Sequence, residues 1–183
     1  MNFIPTKLSG CFIIEPKIIK DDRGYFMESF NEKTFQIGIG QDIHFVQDNQ
    51  SFSTKGVLRG LHYQVGEHAQ AKLVRVLQGE VLDVAVDIRP DSETFGQYEA
   101  VKLSGENNTQ FFVPRGFAHG FLVLSETETF FYKCDNFYNK DSEGGLMFND
   151  ETINIDWQFP LDELLISDKD LVQPNLANAR KVW

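Results

Sequence analysis

From residue 44 to 138 the chain is written as short apolar runs, each closed by turn residues, with almost no sustained helical periodicity. That pattern constrains the fold more than any other feature, because short runs at close spacing fit many strands and few helices. Lys72–Leu77 and Glu80–Ile88 are two such runs separated by Gln78-Gly79, which reads as a hairpin with glycine at the positive-φ position. The second run alternates. Leu82, Val84, Val86 and Ile88 share one face, Asp83, Ala85 and Asp87 the other, and Arg89-Pro90-Asp91 stops it. Further strands are expected at Phe12–Pro16, His44–Asp48, Tyr98–Leu103, Gln110–Val113, Gly120–Leu124 and Thr129–Tyr132, and short helices at Glu28–Phe35 and Leu161–Leu165. The fold class that follows is mostly β, a jelly-roll barrel or sandwich with a few peripheral helices, whose mouth can hold a ligand.

The 183 residues suit a single domain spanning 1–183, with 42% hydrophobic residues and 17 Phe to fill its core. A net charge of −10 argues against nucleic acid as a partner, since phosphate neutralisation needs a basic face. It leaves room for a small anionic ligand held by a few local cations. No apolar run approaches the roughly 18 residues that a membrane-spanning helix requires. The first residues lack a basic segment followed by an apolar one, and Cys11 and Cys134 have no CxxC partner, so a cytoplasmic protein with reduced thiols is expected.

Pro114-Arg115-Gly116-Phe117-Ala118-His119 contains Pro-x-Gly-x-x-His and resembles the second motif of the cupins. Of the first cupin motif, Gly56 and His62 keep their spacing. Gln64 stands where the second histidine is expected, Glu67 comes early, and His68 lies near the glutamate position. A metal site of this type needs several imidazoles and a carboxylate converging on one ion. The expectation is therefore no metal, with His62 and His119 free for proton transfer or hydrogen bonding. In an extended Arg59–Tyr63, Arg59, Leu61 and Tyr63 share one face and His62 the other. Arg59 and His62 can meet only across a twist or bulge near Gly60.

Seven segments, taken in order, carry a resemblance along most of the chain: Asp21-Asp22-Arg23-Gly24, Phe45-Val46-Gln47-Asp48-Asn49, Gly56-Val57-Leu58-Arg59-Gly60-Leu61-His62, Lys72-Leu73-Val74-Arg75, Asp83-Val84-Ala85-Val86-Asp87-Ile88-Arg89, Pro114-Arg115-Gly116-Phe117-Ala118-His119-Gly120 and Ser167-Asp168-Lys169-Asp170. Together they resemble the dTDP-4-dehydrorhamnose 3,5-epimerase family, non-metal cupins. The resemblance implies inversion of C3 and C5 in a dTDP-linked 4-keto-6-deoxyhexose. Such inversion needs a base, an acid on the opposite face and a group to hold the enolate oxygen. His62 suits the base, an imidazole titrating near neutrality. Lys72 suits the enolate, as an ammonium in a partly dry barrel. The resemblance makes Asp170 the carboxylate that orients His62 and Tyr132 the acid. It also implies phosphate contacts from Arg23, Arg59 and Lys169, a stacking contact of Tyr138 with thymine, and further substrate contacts from Glu28, Gln47, Asn49, His119 and Glu143. A homodimer, with the region of Arg23 and Glu28 reaching the partner's site, follows from the resemblance alone. Three other readings stay open: inversion at C3 only or action on another nucleotide-linked 4-keto sugar, a sugar-nucleotide binding protein without turnover, and a metal-dependent cupin. The tail from Val172 to Trp183 matches nothing in the family pattern and could pack at a dimer surface.

Overall fold

A computed structural model describes residues 1–183. In chain order it contains β1 (Asn2–Pro5), β2 (Phe12–Glu15), β3 (Ile18–Asp21), β4 (Gly24–Met27), α1 (Glu32–Ile39), β5 (Gln47–Thr54), β6 (Val57–Gln64), β7 (Lys72–Gln78), β8 (Glu80–Asp87), β9 (Tyr98–Ser104), β10 (Gln110–Val113), β11 (Phe117–Val123), β12 (Thr127–Cys134), β13 (Glu143–Gly145) and β14 (Leu165–Ile166). One sheet runs β1-β2-β10-β7-β12-β5 and the other β13-β6-β11-β8-β9, with β14 parallel to β6. β3 and β4 form a separate hairpin. Apart from the β14–β6 pair every ladder is antiparallel, as in a jelly roll.

Three apolar layers hold the sheets. Between them pack Leu8, Val74, Val76, Val81, Ala85, Phe111, Phe121 and Phe130, among others. The outer side of the second sheet carries Leu58, Leu82, Val84, Val86 and Leu122, covered by Phe148, Trp157 and Val182 from the C-terminal third. The outer side of the first sheet is covered by α1, where Phe35 and Ile39 meet Ile14, Leu73 and Phe112. β8 is therefore buried on both faces. Its wholly apolar face points outward under the C-terminal coil, and its Asp83 and Asp87 face is buried too.

Several expectations shift. β7 and β8 do not pair with each other: β7 lies between β10 and β12, and β8 between β11 and β9. The chain crosses from one sheet to the other at Gly79, where φ is +83° and an added Cβ would come 2.2 Å from the Thr127 carbonyl. The glycine signal is real, but it marks a barrel corner and not a hairpin. The helix expected at Glu28–Phe35 starts instead at Glu32. Asn31 caps it, its side chain accepting from the Thr34 N–H at 3.1 Å, and Gly40 closes it with φ +69°. The strand expected at His44–Asp48 begins at Gln47 and runs to Thr54. The alternating half-buried positions of β5 are Gln47, Asn49 and Ser51, with Ser53 buried, so an apolar pattern could not reveal it. Leu161–Leu165 is a single 3₁₀ turn, Leu161–Glu163, leading into β14. The tail covers its own barrel: Val182 is fully buried and the Tyr63 hydroxyl donates to the Arg180 carbonyl at 2.7 Å. No helix is long and apolar enough to cross a membrane.

Phe35 touches Phe3, Phe30, Phe45 and Phe112, with ring centroids 5.2–6.4 Å apart. Ile37, two positions along the same helix, is 74% exposed. Phe35→Ala is expected to cost about 3–5 kcal/mol of unfolding free energy, because the cavity it leaves cannot collapse within an aromatic cluster. Ile37→Ala should stay within about 0.5 kcal/mol. Urea denaturation of both variants checks the contrast, and equal losses would contradict this packing.

Candidate functional site

The open end of the barrel holds a cavity of about 540 Å³ that adjoins a second of about 310 Å³. Asn49, His62, Lys72 and Tyr132 line both, so these four side chains mark the junction. β6 brings His62, β7 Lys72, β12 Tyr132 and β5 Asn49. The wall is thus built by both sheets.

The bulge that the alternation of β6 required is present. Against β11, His62 pairs with His119 and Arg59 pairs with Phe121, so a three-residue step on β6 faces a two-residue step on β11. Gly60 absorbs the extra residue at φ +126°, and a Cβ there would lie 2.6 Å from the Gly120 Cα. Only glycine fits so close an approach of two backbones. The result puts Arg59 and His62 on one wall of the same cavity.

His62 Nε2 lies 2.6 Å from Asp170 Oδ1, and the Gly60 N–H points to Asp170 Oδ2 at 3.4 Å. Ser167 also supports Asp170, its hydroxyl accepting from the Asp170 N–H at 3.2 Å. Burial alone raises the Asp170 carboxyl. The His62 hydrogen bond and charge, with Gly60 and Ser167, outweigh burial and hold its pKa below the ordinary carboxylate range. With Nε2 engaged, Nδ1 is the ring nitrogen left for other chemistry. Lys72 has no ion-pair partner, and its Nζ sits 5.8 Å from the Tyr132 ring centroid. Burial pushes the Lys72 pKa down, while Cys134, Asp83 and Glu143 pull it partly back. Burial also raises the Tyr132 phenol, helped by Cys134 and opposed by Arg59.

Around this centre lie the expected binding residues. Arg59 Nε donates to Ser53 Oγ at 3.0 Å and Nη2 to the Phe52 carbonyl at 3.4 Å. Lys169, beside Asp170, ion-pairs with Glu143, and the Tyr138 hydroxyl donates to Glu143 at 3.3 Å. Gln47 donates to Asn49 at 3.0 Å and accepts from the Tyr138 N–H at 3.3 Å. His119 is buried, its Nε2 held by both oxygens of Asp83 at 2.9 and 3.0 Å. Two expected residues are not brought in. Arg23 is 90% exposed on the β3–β4 turn and ion-pairs with Asp21 at 2.6 Å. Glu28 accepts from Asn31 at 3.3 Å. Neither lines either cavity of its own chain.

Sequence reading missed Asp83, Gln64, Gln70 and Cys134. Asp83 could have been found as an acid buried on the strand facing His119. Gln64, at the position of a missing metal ligand, clamps Asn139 instead: its amide donates to the Asn139 carbonyl at 3.0 Å and accepts from the Asn139 N–H at 2.9 Å. His68 sits 3.8 Å from Glu67, away from both cavities. No three histidine, cysteine or acidic side chains gather where they could hold a metal ion.

Comparison with known proteins agrees along nearly the whole chain. The model of the dTDP-4-dehydrorhamnose 3,5-epimerase family matches residues 5–178. The dTDP-4-dehydrorhamnose 3,5-epimerase of Shigella flexneri is 55% identical over 93% of this chain and 93% of its own. The crystal structure of dTDP-4-dehydrorhamnose 3,5-epimerase from Elizabethkingia anophelis NUHP1 superposes with a TM-score of 0.95 at 56% identity, covering 100% of this chain and 99% of that one. A dTDP-6-deoxy-D-glucose-3,5-epimerase from Legionella pneumophila Philadelphia 1, solved in complex with dTDP-4-keto-L-rhamnose, gives 0.93 at 50% identity over 97% of this chain and 93% of its own. With this family match and a junction of histidine, lysine and tyrosine in a β-barrel mouth, the chain belongs to the dTDP-4-dehydrorhamnose 3,5-epimerase family.

Proposed function

We propose that the chain inverts C3 and C5 of dTDP-4-dehydro-6-deoxy-D-glucose, giving dTDP-4-dehydro-L-rhamnose, and that His62, Lys72 and Tyr132 carry the proton chemistry. The observation behind this reading is the junction itself: one imidazole, one unpaired ammonium and one phenol line the same two adjoining cavities. The C4 ketone acidifies the hydrogens on C3 and C5. His62 removes one of them through Nδ1, and Asp170 on Nε2 stabilises the imidazolium that forms. The electron pair moves to the ketone oxygen, giving an enolate that Lys72 holds by charge in a water-poor pocket. Tyr132 returns a proton to the carbon from the other face, and solvent restores both side chains. No electrons enter or leave, so the reaction needs no redox cofactor.

Arg59 and Lys169 are the cations we assign to the diphosphate, and Tyr138, half exposed at the rim, to the thymine ring. Lys169 must then exchange Glu143 for phosphate when substrate enters. Gln47, Asn49 and Glu143 complete the second cavity, and His119, pinned by Asp83, supports the wall behind His62. We read the chain as one domain, since both sheets share one apolar layer. Two buried free thiols fit a reducing cytoplasm.

The same reading makes the protein a homodimer. Ile19, Tyr25 and Phe26 stand exposed on the β3–β4 hairpin with Arg23 at its turn. A second copy covering that apolar hairpin would carry Arg23 and Glu28 toward the partner's cavity.

His62→Asn is expected to lower turnover by about 10²–10⁴-fold and to abolish deuterium uptake at C3 and C5 in heavy water. Tyr132→Phe should behave differently: His62 still exchanges the proton, so deuterium enters faster than inversion occurs. Uptake at C3 alone in the unmodified protein would reduce the activity to a single inversion. Mixing inactive Arg23→Ala and His62→Asn subunits should restore activity, because one site in each mixed dimer has both groups. No recovery after demonstrated subunit exchange would remove Arg23 from the partner's site.

A further inference from the structure

One buried carboxylate has neither a part in the proton chemistry above nor a hydrogen-bond partner. Glu128 lies on β12 and is completely buried. Neither of its oxygens has a hydrogen-bond partner of ordinary geometry. Its cross-strand neighbour on β5 is Ser53, the same hydroxyl that accepts from Arg59 Nε at 3.0 Å. Arg59 in turn lines the larger cavity. A carboxylate, a hydroxyl and a guanidinium thus stand in line from the barrel interior to the site wall.

The surroundings of Glu128 hold a single charge. β5 contributes Ser51 and Ser53, and β6 contributes Arg59. On the β7 side Gly79 lies against the Glu128 backbone, and the first inward residue is Val76, opposite Phe130; Phe121 and Val123 of β11 belong to the same apolar layer. On its own strand the next inward residues are Phe130 and Tyr132. An ionised carboxylate in such a place is costly unless a cation compensates it. Burial raises the Glu128 pKa to about 6, with Ser53 and the Arg59 charge holding it from going higher.

Resting on the assignment of Arg59 to the diphosphate, we infer that Glu128 is a positioning residue for Arg59: through Ser53 and its own charge it holds the guanidinium at the cavity wall, and it gains a proton when an anion binds there. The reasoning is electrostatic. While the site is empty, Arg59 stabilises ionised Glu128. A phosphate on Arg59 cancels that stabilisation and adds negative potential of its own, so the carboxyl takes up a proton. Affinity is then fully expressed below the pKa of the free state and falls as pH rises above about 6, until Glu128 is ionised in the bound state as well. Diphosphate binding and proton uptake are one coupled event.

The probe is dTDP-glucose, which lacks the 4-keto group and whose diphosphate diester does not titrate near neutrality. Calorimetry in buffers of different ionisation enthalpy measures the protons taken up on binding. The wild type should bind with uptake of a substantial fraction of a proton near pH 6.5–7 and lose affinity with rising pH, by up to about tenfold per unit. Glu128→Gln, nearly isosteric, should still bind but show less uptake and a flatter affinity profile between pH 6 and 8. All other groups of the site are common to both proteins, so the difference reports Glu128. In the wild type, an infrared difference spectrum with labelled glutamate should show a protonated carboxyl band appearing on binding, a readout independent of how the variant folds. Arg59→Ala separates the two claims. If dTDP-glucose does not bind, or binds equally well without Arg59, the assignment of the diphosphate to Arg59 fails and this inference falls with it. If Arg59 is required but uptake is identical in wild type and Glu128→Gln, and no band appears, only the role of Glu128 is overturned.

Discussion

A 2.6 Å hydrogen bond between His62 and Asp170 joins parts of the chain 108 residues apart, and the rest of the site is arranged around it. His62 belongs to a barrel wall; Asp170 opens the 3₁₀ turn Asp170–Val172 that follows β14. The bond exists because Gly60 lets β6 bulge toward β11 and turns its own N–H to the same carboxylate. A side chain at that position would collide with the Gly120 backbone. The pairing of β14 with β6 then fixes where the following chain runs, so Ser167 and Asp170 arrive under the imidazole. A local backbone irregularity, a parallel strand contact and a charge-assisted hydrogen bond therefore act as one clamp. Its energy is modest against the three apolar layers, but its geometry determines which ring nitrogen faces the cavity.

Polarity inside the barrel follows from that use. An ordinary jelly roll fills its interior with apolar side chains. Here the end formed by Leu8, Phe111 and Phe117 is filled that way, while the other end carries Gln47, Asn49, Ser51 and Ser53 on one strand alone. Lys72 sits at that polar end without a counter-ion within bonding reach, a costly arrangement for folding. An ammonium already paired with a carboxylate would have little field left for a developing oxyanion. The cost in stability and the capacity for chemistry have one origin.

The strand-rich fold could be read from the chain because most strands bury at least one apolar face, and seven runs gave themselves away. β5 could not be read in this way, since its inward residues are polar for the sake of the cavity. Gly79 was recognised as a turn but misassigned, because a corner between sheets and a hairpin ask the same thing of a glycine. Alternation puts Arg59 and His62 on opposite faces of any regular strand, so only a twist or bulge near Gly60 could join them; that both belong to one site came from the resemblance. Asp170 was not legible from spacing, since nothing in a solvated-looking Ser-Asp-Lys-Asp stretch announces a partner more than a hundred residues earlier. Family resemblance supplied it, along with Tyr132 and Tyr138. Asp83 stood in one of the resembling segments without a role and Glu128 in none, because an acid in a strand announces its burial only when the opposing strand is known.

The covering of the second sheet by the C-terminal third bears on how the protein is made. Leu82, Val84 and Val86 form an apolar outer wall that Phe148, Trp157 and Val182 seal. During synthesis the barrel strands leave the ribosome well before these residues and before Asp170. A nascent barrel therefore exposes a flat aliphatic surface and a histidine without its carboxylate. Cover for this wall and the carboxylate for the histidine are acquired together, after the barrel strands have been made.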